Sequence, residues 1–359
     1  MRILLATDAW RPQINGVVRT IEKLSDELRA MGQEMALLTP GGFRTLPCPT
    51  YPEIRLALTR SGVIARYIDD FHPDYIHIAT EGPLGLLVRR YCLRRALRFT
   101  TSYHTRFPEY LAARSPVPAT WGYAYQRWFH NAGASMMVTT PSLERELTAR
   151  GFANITQFTR GVDTELFRPR AVRIFGDDMP VFLYVGRVSV EKNIDAFLRL
   201  DLPGRKVVVG GGPQLNELKE KYSDVVFTGP KVGLDLARHY ASADVFVFPS
   251  LTDTFGIVLL EALACGLPVA AYPVTGPNDI IAPARVGVLD TDLGAAARAA
   301  LSVDPVACRA HARTFSWRRC AEEFVDNIVE AGGGACPGKS TVSHAWARRS
   351  IPVQKSLSR

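Results

Sequence analysis

The chain alternates short apolar runs with stretches of helical period, and this alternation limits what it can fold into. Ile3-Leu4-Leu5-Ala6 is followed by a polar loop to Asn15-Gly16, and then by Val18, Ile21, Leu24 and Leu28. That three-to-four-residue spacing lays one apolar stripe along a helix. Met35–Leu38 is the next run. The unit recurs at Val181-Phe-Leu-Tyr-Val185, with a loop opened by Gly186-Arg187, a helix expected over Lys192 to Leu200, and the run Lys206–Val209. Further runs at 75–79, 98–102, 136–139, 225–228, 245–248 and 268–272 read as strands. Strands apolar on both faces need cover on both faces, which helices supply in a parallel sheet. Pro169, Gly176, Asp177, Asp178 and Pro180 cluster near the middle and mark a boundary. The expectation is an α/β chain of two doubly wound, Rossmann-like domains, 1–170 and 171–330. A tail, 331–359, is rich in Gly, Ser and Arg without period and is expected to lack fixed structure.

Composition excludes several classes. Apolar residues are 47% and charged residues 22%, the balance of a globular protein. The six cysteines form no Cys-x-x-Cys pair, which argues against a zinc cluster or disulfide scaffold and for a reducing compartment. No 18-residue apolar stretch offers a membrane span, and the four apolar residues before Thr7-Asp8 are too few for a signal peptide. The net charge is +8, concentrated in residues 1–170 and the tail, while 171–330 carry an acidic excess. Such a field suits nucleic acid, a phospholipid surface or a phosphorylated ligand, or it only solvates the surface. A basic nucleic-acid-binding protein is the remote alternative, disfavoured because no helix-turn-helix, zinc or RNP pattern is present.

In open parallel sheets ligands bind beyond the carboxyl ends of the strands. The loops there hold the residues that stand out. In Phe248-Pro-Ser-Leu-Thr-Asp253-Thr254-Phe255-Gly256-Ile-Val-Leu-Leu-Glu261, a buried strand runs into a loop with Asp253, then into a helix opening near Phe255-Gly256. The amino end of that helix favours an anion. Glu261, expected about two turns into an apolar helix, needs a partner: hydroxyls of a sugar or ribose, or else a salt bridge, with Asp253 then only an N-cap.

This spacing resembles the retaining glycosyltransferases of family 4, whose mark is an acid, seven residues, then Glu, after Pro-Ser and around Phe-Gly. Here Asp stands where the family usually has Glu, and still supplies a carboxylate. Pro12-Gln-Ile-Asn-Gly16-Val is similar to the family's first loop, Val185-Gly-Arg187 with Glu191-Lys192-Asn193 to its paired diphosphate-binding cations, and Val209-Gly-Gly-Gly-Pro213 and Ala241-Ser-Ala-Asp244 to its second-domain landmarks. The resemblance covers residues 1 to about 330. It implies the GT-B fold, a nucleotide-diphosphate-sugar donor, retention of configuration, no metal and no cofactor. Arg187 and Lys192 would take the metal's place on the leaving diphosphate. Asp253 would touch the sugar, and Glu261 the ribose. Gly16 would let the backbone approach the phosphates. Thr254, Phe255 and Gly256 would line the donor. His104, in Thr101-Ser-Tyr-His-Thr-Arg, matches the family's active-site His; by itself it is equally a hydrogen-bonded loop residue. Arg160, in Arg-Gly-Val-Asp163, falls on the inter-domain segment near the phosphates. Val232, in Gly229-Pro-Lys-Val, would edge the base by its backbone. The resemblance also implies front-face displacement, with the leaving phosphate accepting the acceptor's proton. Phe315-Ser-Trp317 and the following helix would return to the first domain.

For the acceptor, Arg90, Arg94 and Arg98 are placed on one face of a helix over 84–98, flanked by Arg89 and Arg95, with Leu86, Leu87, Leu93 and Leu97 covering the other. A basic amphipathic helix lies on anionic membrane surfaces. The other reading is ordinary packing with arginines in water. Tyr110 and the aromatic run Trp121, Tyr123, Tyr125, Trp128 and Phe129 would meet lipid or fill a core. The opening Thr7–Arg19 and Tyr272–Asp279 look like bacterial glycolipid-forming members. The reading is a UDP-sugar-dependent lipid glycosyltransferase, moving a hexose or uronic acid to an acceptor such as diacylglycerol. It would be cytoplasmic and peripheral at the inner face of the membrane. A GDP-mannose-dependent mannosyltransferase is the alternative.

Overall fold

The structure, a computed structural model, describes residues 1–13, 15–48, 51–112, 116–176 and 178–332. Of the tail read at 331–359, residues 333 onward lie outside this range.

The first domain's strands are β1 (Arg2–Ala6), β2 (Glu34–Leu38), the hairpin β3 (Arg44–Cys48) and β4 (Tyr51–Leu58), β5 (Tyr75–Ile78), β6 (Thr100–Ser102), β7 (Ser135–Val138) and β8 (Ile155–Gln157). Six of them form a parallel sheet ordered β2-β1-β5-β6-β7-β8. Six more, β9 (Val181–Val185), β10 (Arg205–Val209), β11 (Val226–Gly229), β12 (Val245–Phe248), β13 (Val269–Ala271) and β14 (Gly287–Leu289), form a second. Its order is β11-β10-β9-β12-β13-β14, the doubly wound arrangement with its switch point between β9 and β12.

Side-chain alternation decides which helix each strand packs against. In β1, Ile3 and Leu5 face Ile21, Leu24 and Leu28 of the helix Gly16–Ala30, while Leu4 and Ala6 face Ile64, Ile68, Leu84 and Val88 of the two helices on the other side. In β9, Val181, Leu183 and Val185 join a cluster with Leu236, Leu259 and Leu263, and Phe182 and Tyr184 one with Ile194, Phe197 and Ala296. Each fully buried aliphatic or aromatic side chain contributes roughly 1.5–3 kcal/mol. The helix Trp317–Gly332 does not stay with the second sheet. Its Trp317, Cys320, Phe324 and Ile328 pack with Ile3 and Leu5, and Phe324 sets its ring edge-on against His77.

Three elements differ from the sequence reading. The strand read at 98–102 is confined to Thr100–Ser102. The helix read from Lys192 is split into a 3-10 turn, Val190–Lys192, and a short helix, Ile194–Leu198, because Asn193 is left-handed at φ 50°. The helix read over 84–98 runs from Pro83 to Arg94. It closes there because Ala96 takes φ 51° and the Leu97 amide turns back to the Cys92 carbonyl.

Candidate active site

The carboxyl ends of both sheets face one another, and in the cleft the two loops after β9 and β12 are bonded to each other. Asn193 Nδ2 donates to the Pro249 carbonyl at 3.1 Å, Thr252 Oγ1 to the Glu191 carbonyl at 3.2 Å, and Lys192 Nζ to Asp253 Oδ1 at 2.5 Å. The loop after β10 nests against them: a Cβ on Gly210 would stand 1.8 Å from the Gly186 carbonyl oxygen, so only glycine allows the approach. Arg187 follows Gly186, its carbonyl held by the Tyr184 hydroxyl at 2.7 Å and its guanidinium near Glu191. Burial alone would pull Lys192 down, but the Asp253 carboxylate outweighs it and holds the ammonium above its usual value. Three buried polar atoms beside this pair, Asp253 Oδ2, Ser250 Oγ and Ser189 Oγ, have no hydrogen-bond partner among the described residues. Orphan acceptors of this kind want a ligand.

The segment after Asp253 then crosses to the first domain. Thr254 Oγ1 donates to the His104 carbonyl at 2.8 Å, and its own carbonyl accepts from Thr139 Oγ1 at 2.9 Å. Phe255 is buried against Phe315, and Gly256, at φ 86°, turns the chain into the helix Ile257–Ala264. Asp253 is therefore not the N-cap; Gly256 holds that position. Glu261 sits one turn into the helix rather than two. Gly16 opens the helix Gly16–Ala30 directly opposite, with Ile257 Cδ1 3.8 Å from where its Cβ would be. Asn15 Oδ1 caps that helix through the Val17 and Val18 amides.

On the first-domain side, Arg160 is buried over the Phe158 ring and donates from Nη2 to His104 Nδ1 at 3.2 Å. Burial, with Arg160 beside it, pushes His104 well below its usual value, so the ring is neutral. With Nδ1 accepting, the proton is on Nε2, which is a donor. Tyr110, on the helix Phe107–Ala112, reaches Thr252 and lies next to Lys192 and Asp253; burial raises its phenol. Glu81 is also at this edge, with Oε1 on His130 Nε2 at 2.9 Å and Gln126 Nε2 at 3.0 Å. Val232 begins the helix Gly233–Ala241 on the loop after β11 and is exposed.

Two features were not read from the sequence. Glu261, buried, takes Arg19 Nη1 on one oxygen at 2.8 Å and the Tyr240 hydroxyl on the other at 2.9 Å. The salt-bridge alternative is thus present, and its cation comes from the other domain. Only its position one turn after Gly16 hinted that Arg19 faces the cleft. Asp8, buried at the end of β1, accepts from the Leu84 and Gly85 amides at 2.9 and 3.2 Å and from Thr80 Oγ1, and burial raises it to about 6. A cavity of about 300 Å³ between the domains, lined by Thr140, Gln157, Phe158, Phe255, Asp279 and Arg319 among others, includes neither Lys192 nor Asp253.

The five arginines do not form the surface stripe expected. Arg89 is buried, donating to the Phe129 and Trp128 carbonyls at 3.1 and 2.9 Å with its guanidinium on the Trp128 ring. Arg95 is paired with Asp69 and stacked on Tyr91. Arg98 lies beyond the helix, and Leu93 is exposed instead of covering the core. Arg90 and Arg94 remain exposed on the helix. Eleven residues of helix at 1.5 Å each carry Arg94 about 16 Å from the cleft end. Tyr123 and Phe129 are core.

Among the described residues no group of three His, Cys, Asp or Glu side chains is placed to hold a metal, and no helix is long and apolar enough to cross a membrane.

Comparison with known proteins agrees with this geometry. A family model described as "Glycosyltransferase Family 4" matches residues 14–166, and one described as "Glycosyl transferases group 1" matches 179–303. A GDP-mannose-dependent alpha-mannosyltransferase of Mycobacterium tuberculosis is 30% identical over 80% of this chain and 83% of its own. An alpha-monoglucosyldiacylglycerol synthase of Streptococcus pneumoniae is 27% identical over 85% of this chain and 79% of its own. Among solved structures, sucrose-phosphate synthase from Thermosynechococcus elongatus superposes with a TM-score of 0.72 at 22% identity, covering 90% of this chain and 97% of that one.

Proposed function

Because the chain belongs to the glycosyltransferases of family 4, with the two facing Rossmann-like domains of the GT-B fold, we propose that it moves a hexose or uronic acid from a UDP-sugar to a lipid acceptor such as diacylglycerol. The observation that carries the donor chemistry is the Lys192–Asp253 pair with its orphan Asp253 Oδ2. Arg187 and Lys192 hold the diphosphate and stabilise its growing charge as the glycosidic bond breaks, without a metal. Asp253 Oδ2 accepts a hydroxyl of the sugar. Oδ1 is committed to Lys192, which makes this carboxylate a poor nucleophile and fits front-face displacement with retention. Glu261 keeps Arg19 and Tyr240 and still has a lone pair on each oxygen for a ribose hydroxyl. His104 donates from Nε2 toward the sugar, with Arg160 fixing its tautomer. Thr254, Phe255, Gly256 and Gly16 shape the cleft wall, and Val232 edges the base. Tyr110 stands where an acceptor would enter.

The lipid acceptor is supported by the diacylglycerol-glycosylating relative. The protein then acts at the inner face of the cell membrane as a peripheral visitor. A GDP-mannose-dependent mannosyltransferase is the second reading, favoured by a relative of that name at 30% identity. Purified protein incubated with diacylglycerol and a panel of UDP- and GDP-sugars, with products weighed by mass spectrometry, decides between them. Product from a UDP-hexose or UDP-uronic acid supports the first reading; product from GDP-mannose alone replaces it by the second.

A further inference from the structure

The first domain carries an exposed aromatic ridge at the mouth of the cleft. Trp121 and Trp128 are 71% and 54% exposed and lie seven residues apart on the helix Ala119–His130, hence on one face. Phe107, 48% exposed, opens the helix that carries Tyr110 toward Lys192 and Asp253. The two helices touch at Pro108 and Gly122, where a Cβ on Gly122 would stand 2.9 Å from Pro108. The helices that carry Phe107 and Trp121 are therefore packed together there. Tyr125, between the two tryptophans, donates to the Glu81 carbonyl at 2.6 Å, tying this face to the cleft edge.

The edge of the ridge is basic. The helix Ala119–His130 contains no Asp or Glu, and neither does the stretch 83–98 that packs beside it. Arg127 and Arg90 are exposed on the two helices, and the Arg89 guanidinium lies 3.8 Å from the centre of the Trp128 ring. Large apolar side chains gathered in one exposed patch mark a contact surface. Indoles with flanking cations suit the headgroup layer of an anionic bilayer, where the ring meets acyl chains and the N–H and arginines meet water and phosphate.

We infer that the Phe107–Trp121–Trp128 ridge, with Arg90 and Arg127 at its rim, docks the protein on anionic lipid and presents the cleft mouth to the membrane. The inference rests on the lipid-acceptor reading above, and it replaces the helix 83–94 by the ridge as the orienting element.

The test uses the full chain and sedimentation with phosphatidylcholine vesicles, with and without phosphatidylglycerol. Wild type is expected on the anionic vesicles at low salt. Trp121→Ser with Trp128→Ser should lower that partitioning by about tenfold or more, and Arg90→Gln with Arg127→Gln should lower it in a salt-dependent way. Transfer to diacylglycerol presented in detergent micelles should be unchanged in the tryptophan variant, which shows that the fold and the active site are intact. No vesicle binding by wild type, or binding unaffected by loss of both tryptophans, overturns the ridge while leaving micellar transfer to speak for the function. Vesicle binding without transfer to any lipid overturns the acceptor reading instead. Loss of micellar transfer together with vesicle binding in the tryptophan variant would assign the ridge to folding and also overturn the inference.

Discussion

Lys192 Nζ lies 2.5 Å from Asp253 Oδ1, joining the loops after β9 and β12 across the switch point of the second sheet. The pair holds a cation and a carboxylate in fixed register, with one carboxylate oxygen left for a ligand. Lys192→Ala should lower kcat/KM by about 10²-fold, the loss of one preorganised charge stabiliser worth roughly 3 kcal/mol. Asp253→Asn should cost a similar factor. Because each residue positions the other, the double variant should cost less than the product of the two. Steady-state kinetics on the three variants checks this; full multiplicativity would mean that the residues act apart.

Arg19 and Glu261 tie the first helix to the second domain. Replacing Arg19 by Met leaves a buried carboxylate with only Tyr240 as partner. Arg19 is a third exposed, so the loss should be modest, about 1–3 kcal/mol. Burial raises Glu261 above its usual value and Arg19 opposes that. Without Arg19 the carboxyl rises further, so the deficit should shrink as pH falls and the carboxyl takes a proton. Thermal unfolding of the variant at several pH values measures it. Glu261→Ala should instead raise the donor KM by about tenfold, for a lost hydrogen-bonded ribose contact.

Asp8 gives a second pH signature. Burial raises its carboxyl from an ordinary 3.8 to about 6 despite the Leu84 and Gly85 amides. The folded state therefore binds the proton more tightly than the unfolded chain. The resulting stability is complete below about 3.8 and is lost as pH rises through 6. Two units correspond to about 3 kcal/mol. The difference in stability between wild type and Asp8→Asn should accordingly fall in that window, read by denaturant unfolding from pH 4 to 7. A difference that stays flat would place Asp8 in an ordinary, ionised state.

Metal independence is testable directly. Arg187 and Lys192 supply the positive charge at the diphosphate, so turnover should survive EDTA with the donor saturating. Restoration only by Mg²⁺ or Mn²⁺ would remove the two cations from that role.

Much of this was legible in the sequence, for a physical reason. Central parallel strands such as 3–6, 181–185 and 245–248 are buried on both faces and so are written as unbroken apolar runs. The edge strands β8 and β14 and the hairpin β3–β4 are short or half exposed, and their composition carries no such run. Asp253, Lys192 and Glu261 stood out because charge in or beside an apolar element needs a partner. Arg19 and Asp8 did not, because their partners are 242 and 76 residues away and only the fold brings them close. Arg89 was misplaced on the surface for the converse reason: local periodicity cannot show that two carbonyls and an indole from another helix await its guanidinium.

The most direct measurement is the anomeric configuration of the product. Protein, a UDP-α-hexose or UDP-α-uronic acid, and diacylglycerol in mixed micelles should give a glycosyl-diacylglycerol whose anomeric proton shows the small coupling of an α-linkage by NMR. The Lys192→Ala protein should give the same product about 10²-fold more slowly. A β-linked product, or transfer from GDP-mannose with none from any UDP-sugar, would contradict the account.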